Sequence, residues 1–226
     1  MLLQPANQIL RDLPKPLLDE IRPHLRRAFL RKDSYVYQQD DLLNSVYFPE
    51  SAVLSELHIL DDGRMVEVSM TGCEGAVGIG ALFAVERMPN CVQTSQSGTV
   101  LKIEVTLLQK ILSRHAELKD HLCEPFAAYI RQLSQRAVCN MYHSVKERFC
   151  TWLMMMNDRC DQSTLKLTHE QIARALGVYR PSVTCIALEM REHGVIDYSR
   201  GGVRIVDREV IGREACSCYS DLTTGH

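Results

Sequence analysis

Residues 165–206 read LKLTHEQIARALGVYRPSVTCIALEMREHGVIDYSRGGVRIV, and this stretch decides the fold of the C-terminal part of the chain. Its first half predicts a helix over His169–Leu176, because the Thr168 hydroxyl can accept a hydrogen bond from a first-turn N–H. Gly177 then supplies a residue that takes positive φ without a steric penalty. A second helix is predicted over Arg180–Glu192.

The apolar residues of these two helices fall where two helices pack across a tight turn. Pro181 suits the first turn of the second helix, where an N–H is unpaired in any case. Ala173, a small residue, lies four positions before the glycine, and apolar residues occupy the inner positions: Ile172, Leu176, Val178, Val183 and Ile186. This spacing is typical of a helix-turn-helix.

A β-hairpin is predicted directly after the second helix. Val195–Tyr198 and Val203–Val206 are β-prone runs, and Ser199–Gly202 forms a glycine-containing turn between them. A helix pair followed by such a hairpin indicates a winged helix, which points to DNA binding. The alternative interpretation is a small helical bundle with an incidental glycine turn.

The charge of this region is modest, so DNA affinity has to come from the placement of side chains. Residues 164–213 hold eight Lys or Arg and six Asp or Glu, a balance of +2, whereas the rest of the chain sums to −4. Arginine can pair bidentately with guanine, and serine or threonine suits phosphate or thymine. We expect contacts from the leading end of the second helix, from the hairpin tip and from the start of the first helix: Tyr179, Arg180, Ser182, Thr184, Arg200, Thr168 and His169.

The composition of the whole chain excludes several other classes of protein. Its 226 residues are 46% hydrophobic and 24% charged, with a net charge of −2, which is ordinary for one or two globular domains. No apolar run approaches the roughly 18–20 residues of a membrane span, and the start lacks the features of a signal peptide. The nine cysteines are therefore expected to be reduced thiols in a cytoplasmic protein without membrane contact.

The N-terminal half predicts a small antiparallel roll or barrel, since short β-prone runs alternate with turn signals between about residues 28 and 105. Asp62-Gly63 predicts the clearest hairpin, between Leu54–Leu60 and Met65–Met70. The other runs are Tyr35–Tyr37, Ser45–Phe48 and Thr99–Val105.

A long helix is predicted after the roll, over about residues 117–140. One of its faces carries an apolar stripe at steps of four, four, three and four: Leu122, Phe126, Ile130, Leu133 and Ala137. A further helix is expected near Ser144–Asn157. We therefore predict an α+β fold with a sensor roll and long helix over residues 1–143 and a DNA-binding domain over 144–226.

This order of elements resembles the cyclic-AMP receptor/Fnr family of bacterial transcription regulators over nearly the whole chain. The specific match lies in Leu167–Ala173, Gly177 and Arg180-x-Ser182-Val183, and Gly78–Phe83 resembles the family's phosphate-binding cassette. The resemblance implies a homodimer packed along the apolar stripe, an inverted-repeat operator in double-stranded DNA, and RNA polymerase as a further partner. It also implies an effector pocket formed by Gly78, Ile79, Gly80, Ala81, Leu82, Asn90 and Cys91.

The sequence departs from the cyclic-nucleotide-binding members of this family at the ligand positions. Ile79 stands where they carry a glutamate for the ribose, and Asn90-Cys91 stands where they carry an arginine pair for the phosphate. Arg87 lies nearby, but its position does not fit the pattern. Because a buried phosphate without its cation is costly, we predict that the protein does not respond to cyclic AMP, and its effector is unknown.

The recognition helix departs from the family as well. Pro181 and Cys185 stand where family members often show a glutamate and a second arginine. The family's base preference therefore cannot be transferred to this chain, and only Arg180 is retained as a base-reading residue.

The cysteine pattern predicts no metal and no cofactor. The oxygen-sensing members hold an iron–sulfur cluster with N-terminal cysteines, but the first cysteine here is Cys73. Cys216-Ser217-Cys218 is the one close pair; it could hold a soft metal or respond to oxidants only with further ligands, of which His226 is the nearest. The alternative is a packed C-terminal segment, and cysteines within helices such as Cys139 are expected to be core residues.

The leading hypothesis is thus a sequence-specific DNA-binding transcription regulator and not an enzyme, since no nucleophile elbow, Walker loop or paired carboxylates are present. The alternative hypothesis is a ligand- or redox-sensing signalling module whose winged helix mediates protein contact.

Overall fold

The computed structural model describes residues 4–160, 164–199 and 202–223. The helices are α1 (Gln8–Arg11), α2 (Lys15–Ile21), α3 (Val105–Leu112), α4 (Ala116–Tyr142), α5 (Val145–Asp158), α6 (His169–Leu176), α7 (Arg180–Glu192), α8 (Arg208–Glu214) and α9 (Cys218–Thr223). The strands are β1 (Arg26–Leu30), β2 (Tyr35–Tyr37), β3 (Ser45–Pro49), β4 (Val53–Ile59), β5 (Met65–Thr71), β6 (Cys91–Gln96), β7 (Gly98–Glu104), β8 (Ile196–Ser199) and β9 (Gly202–Ile205). No helix among the described residues is long and apolar enough to cross a membrane.

The chain divides into two compact units. The roll unit comprises Met1–Glu56 with Met70–Ile130, and the helix-turn-helix unit comprises Leu57–Ser69 with Arg131–His226. Strands β4 and β5 and helix α4 each contribute residues to both units. The domain boundary between residues 143 and 144 stays a prediction.

The roll is built from two antiparallel sheets, with strand orders β1-β7-β3 and β2-β6-β4-β5. All five predicted strands are present, and the Asp62-Gly63 turn is confirmed, with Gly63 at φ +83°. The sequence did not predict β1 and β6. Strand β1 exposes most of its side chains, and β6 buries polar ones, Thr94 and Gln96, so neither shows an apolar alternation.

The helix-turn-helix unit has an apolar core centred on α5. All eight residues of Phe149–Met156 are buried, and they include three consecutive methionines. Helices α6 and α7 begin and end where the sequence predicted. Leu165 and Val203 exchange two backbone hydrogen bonds of 2.8 Å, which attach the segment before α6 to the hairpin β8–β9.

A buried ion pair attaches the β4–β5 hairpin to the helices of the same unit. The guanidinium of Arg136 on α4 pairs with Glu67 on β5, and the Trp152 indole N–H on α5 donates to the same carboxylate oxygen at 2.7 Å. Because both donors reach a carboxylate that is almost fully buried, its charge is compensated.

The apolar stripe of α4 differs from the prediction at its N-terminal end. Leu122 is only 2% exposed and lies in the core of the roll unit, and Phe126 stacks on Phe83 with ring centroids 4.7 Å apart. The structure therefore corrects the predicted interface at Leu122, because a side chain in the chain's own core cannot contact a partner. Ile130, in contrast, is 48% exposed, Leu133 is half-buried and Ala137 is exposed.

Candidate nucleic-acid interface

Helix α6 begins with a reciprocal capping arrangement. The Thr168 hydroxyl accepts a hydrogen bond from the Gln171 N–H at 3.2 Å, and the Gln171 side-chain oxygen accepts one from the Thr168 N–H at 3.1 Å. Thr168 is exposed, and its predicted role as a backbone anchor is compatible with this position. The two bonds fix the N-terminus of α6, an end that carries partial positive charge and suits a DNA phosphate.

The turn between α6 and α7 requires glycine at position 177. Gly177 has φ +64°, and its N–H bonds back to the carbonyls of Ala173 and Arg174. A Cβ added here would lie 3.2 Å from the Val66 Cγ2 atom, closer than an ordinary contact. Both the backbone angle and the space therefore favour glycine, and the turn directs α7 across α6.

His169 is held against α7 and the hairpin. Its Nδ1 lies 3.0 Å from the Thr184 hydroxyl, which itself donates to the Arg180 carbonyl at 3.1 Å, so the imidazole Nδ1–H is the donor to Thr184. The ring also meets Tyr198 edge-on at 4.7 Å. Burial, with the nearby charge of Arg180, lowers the pKa of His169. The side chains of His169 and Thr184 thus position α7 within the protein.

The leading end of α7 presents its other predicted residues to solvent. Tyr179 is 79% exposed, and Arg180 and Ser182 are exposed as well. Within the described part of the chain, the Arg180 guanidinium forms no ion pair or hydrogen bond. Arg200, the predicted wing contact, lies outside the described residues.

Two further residues share this exposed face and were not chosen from the sequence. Cys185 and Leu188 are exposed and follow Ser182 at steps of three. The sequence shows this spacing of three, but cysteine and leucine are not typical base-contacting residues. The spacing alone therefore did not indicate a DNA contact.

The predicted effector region of the roll unit contains a small cavity of about 180 Å³. Gly78, Ile79 and Gly80 line it, whereas Ala81, Leu82, Asn90 and Cys91 do not. Pockets for drug-sized ligands measure roughly 300–1,000 Å³, so this cavity is small by comparison. Phe126 and Tyr129 of α4 also line it.

The described residues that line the cavity include no lysine or arginine. Their charged member is Glu56, which accepts hydrogen bonds from the Asn90 amide at 2.7 Å and from the Tyr129 hydroxyl at 3.0 Å. Burial, with the Glu56 carboxylate beside it, raises the pKa of Tyr129. The exposed Arg87 instead donates to the Asp40 carbonyl at 2.6 Å. A negatively charged ligand would therefore meet a carboxylate and no cation.

A group of four potential metal ligands also lies in the helix-turn-helix unit. It contains Cys216 and Cys218 of the predicted C-terminal pair, joined by Cys139 and His143. His226, which the sequence offered as the nearest further ligand, lies outside the described residues. The sequence analysis did not select Cys139 and His143. Their spacing of four, which places both side chains on one face at the end of a helix, could have indicated them.

Comparisons with known proteins match both parts of this structure. Residues 147–213 match the model of a Crp-like helix-turn-helix domain. The chain is 24% identical over 200 residues to the transcriptional activator protein anr of Pseudomonas aeruginosa, which covers 84% of this chain and 80% of that protein. These matches confirm the predicted helix-turn-helix, and they give no support to the protein-contact alternative.

Two solved structures share the fold. FixK2 from Bradyrhizobium japonicum has a TM-score of 0.73 at 16% identity, covering 85% of this chain and 98% of that one. A transcriptional regulator of the CRP family from Thermus thermophilus has a TM-score of 0.71 at 18% identity, covering 83% of this chain and 96% of its own. The predicted combination of a roll, a long helix and a winged helix is thereby confirmed.

Proposed function

The chain belongs to the Crp-Fnr family of DNA-binding transcription regulators, and we propose that it reads an inverted-repeat operator as a homodimer through the leading end of α7. The proposal depends on the exposed side chains of Tyr179, Arg180 and Ser182. They lie on a helix that contacts within the protein hold in position. The His169–Thr184 hydrogen bond and the glycine turn supply that fixation. Side chains held on a rigid helix can discriminate between base edges.

Arg180 is the proposed base reader. It is the first residue of α7, and the N-terminal end of a recognition helix is the part that meets base edges in the major groove. Its guanidinium can pair with the O6 and N7 atoms of guanine. Tyr179 and Ser182 are placed to contact phosphate or neighbouring bases, and the start of α6 at Thr168 is placed to contact a phosphate.

The homodimer is proposed from the C-terminal part of α4. Exposed apolar side chains continue along the helix after Ile130, at Ala137, Val138, Met141 and Tyr142, and Met141 is 75% exposed. Apolar area of this kind is removed from water when two copies of a helix pack together. We therefore place the interface from Ile130 onward, with Leu133 and Ala137 included and Leu122 excluded.

The roll is proposed to hold no cyclic nucleotide. The cavity is small, its described lining offers no cation, and Ile79 occupies the position at which a ribose would need a carboxylate. An uncompensated phosphate there would also face Glu56. An effector that fits this cavity would be small and mostly apolar.

Selection of bound sequences from a random duplex pool tests the proposal directly. We expect an inverted repeat whose half-sites lie about 34 Å apart, one turn of DNA, because two symmetry-related α7 helices enter successive major grooves. Recovery of single half-sites, or no enrichment at all, would contradict it.

Sedimentation of Ile130→Glu tests the homodimer separately. A carboxylate buried in an apolar interface is costly, so the variant is expected to be monomeric at concentrations where the wild type is dimeric. Leu42→Glu is the matched control, since Leu42 is a similarly exposed apolar residue of the roll. A wild-type monomer at micromolar concentration would overturn the dimer.

A further inference from the structure

Three thiols and one imidazole converge at the end of α4. Cys139 lies in the last turns of the helix, and the His143 N–H continues the helical pattern by bonding to the Cys139 carbonyl at 3.1 Å. Cys216 follows α8, and Cys218 is the first residue of α9. The four potential ligand atoms all lie within 4.8 Å of one another. Residues about 75 positions apart in the chain thus form one cluster.

We propose that Cys139, His143, Cys216 and Cys218, the thiol–imidazole cluster, bind a single thiophilic divalent ion of the zinc class. Tetrahedral zinc has Zn–S bonds of about 2.3 Å and Zn–N bonds of about 2.0–2.1 Å, which place its ligand atoms roughly 3.5–3.8 Å apart. The Cys139 and Cys216 sulfurs are 3.5 Å apart, and the Cys218 sulfur is 3.5 Å from His143 Nδ1. Two edges of the coordination tetrahedron therefore already have the required length.

The donor set and its burial favour such an ion over the alternatives. Thiolate and imidazole are the ligands of structural zinc sites, whereas magnesium and calcium prefer oxygen. An iron–sulfur cluster places several atoms between its thiolates and so needs them further apart than these are. The three cysteines are buried and His143 is half-buried, as in closed structural sites that admit no fifth ligand.

Hydrogen-bond donors from outside the cluster contact two of its three sulfur atoms. The Thr151 hydroxyl accepts from the Cys216 N–H at 3.0 Å, which leaves its own hydrogen to donate to the Cys216 sulfur, also at 3.0 Å. The Gln135 amide donates to the Cys218 sulfur at 2.8 Å. Such donors orient metal ligands and stabilise the thiolate form. The metal binds all three cysteines as thiolates, so any thiol proton they still carry is released to solvent, and His143 coordinates through the Nδ1 lone pair with its proton on Nε2.

The ion would fasten the C-terminal segment to α4. Cys216 and Cys218 lie beyond α8, and α8 packs against α5 of the same unit. Because a metal that binds only the folded chain stabilises it, occupancy of the site is expected to raise the unfolding temperature of the helix-turn-helix unit.

Cobalt binding to the full-length, reduced and chelator-treated protein tests the site. We expect one Co²⁺ per chain, with the visible bands of a tetrahedral ion and a thiolate charge-transfer band, and displacement of cobalt by one equivalent of Zn²⁺. Cys216→Ser and His143→Asn should each weaken binding at least 100-fold, and Gln135→Ala about 10-fold. Zinc should raise the unfolding temperature of the wild type and leave that of His143→Asn unchanged.

Cys150→Ser is the matched control, since Cys150 is a buried cysteine of the same unit that is not a member of the cluster. It should keep one equivalent of cobalt. The half-exposed His143 provides a variant that folds even if loss of a buried thiol does not permit folding. No cobalt binding, an octahedral spectrum, or binding unchanged in His143→Asn would overturn the proposal.

Discussion

The helix-turn-helix and the cassette of the roll both contain a glycine in the left-handed region, but they differ in the side chains around it. Gly177 has φ +64° and is followed by the exposed polar group that begins at Tyr179. Gly78 has φ +84° and borders a small, mostly apolar cavity whose described lining contains no lysine or arginine. Each glycine indicates the backbone conformation of its motif, whereas the surrounding side chains indicate which kind of ligand the motif can bind. We therefore expect the helix-turn-helix to keep its ligand, DNA, and the cassette not to bind a cyclic nucleotide.

The largest loss of stability is expected from replacing Gly78 of the roll. Gly78→Ala would place a Cβ 2.5 Å from the Ser45 carbonyl oxygen at a φ that alanine rarely adopts. We expect a loss of roughly 3 kcal/mol in the free energy of unfolding, from backbone strain and overpacking together. Urea denaturation measures it.

Gly63→Ala is the control for this loss. Gly63 has nearly the same φ, +83°, but an added Cβ would meet nothing within 4 Å. Only the backbone strain remains, and we expect about 1 kcal/mol. Equal losses in the two variants would show that Gly78 is required for its backbone angle alone.

A smaller effect is expected where the helix-turn-helix is capped. Thr168→Ala removes the acceptor for the Gln171 N–H and should lower the free energy of unfolding by about 1 kcal/mol. Thr168→Ser keeps a hydroxyl and should restore most of the loss in the same denaturation experiment. If serine fails to rescue, the methyl contacts of Thr168 and not the cap stabilise α6.

The pH dependence of stability tests how His169 is held. Its folded pKa is lowered, so the folded state binds this proton less readily than the unfolded chain does. The stability contribution is therefore complete above the ordinary histidine pKa of about 6.5 and is lost as the pH falls below it. Relative to His169→Gln, the wild type should become less stable on acidification. A difference that does not vary with pH would contradict the assignment.

The roll should give no effect at all with cyclic nucleotides. Calorimetric titration with cyclic AMP or cyclic GMP is expected to show no binding, since the described cavity lining offers a carboxylate and no cation. Micromolar affinity for either nucleotide would show that the cassette keeps its ligand, and the contrast between the two glycine motifs would disappear.

Much of the helix-turn-helix could be predicted because its signals are local. A cap, a glycine and a proline within fifteen residues fix the bounds of α6 and α7. The hydrogen bond between His169 and Thr184 could not be predicted, because it joins residues of two different helices. The sequence did not predict β6, because this strand buries polar side chains such as Thr94. Their burial depends on the neighbouring strands and leaves no apolar pattern in the local sequence.

Features that depend on long-range contacts were the least predictable. The apolar periodicity of α4 predicts a helix, but it does not reveal whether Leu122 contacts the chain's own core or a second copy. The thiol–imidazole cluster joins Cys139 to Cys216 across 77 positions, so its two halves could be noticed only separately. Spacing identifies ligands on one helix turn and gives no information on their distant partners.

Base reading by Arg180 is tested by comparing the DNA binding of Arg180→Ala and Arg200→Ala, measured by fluorescence anisotropy at several salt concentrations. On the selected operator, Arg180→Ala should cost about 1–3 kcal/mol of binding free energy, with little change on a scrambled duplex. Arg200→Ala should weaken both duplexes alike and reduce the salt dependence by about one phosphate contact per subunit. If Arg180→Ala weakens both duplexes equally, Arg180 is a phosphate anchor, and the proposed reading by α7 is wrong.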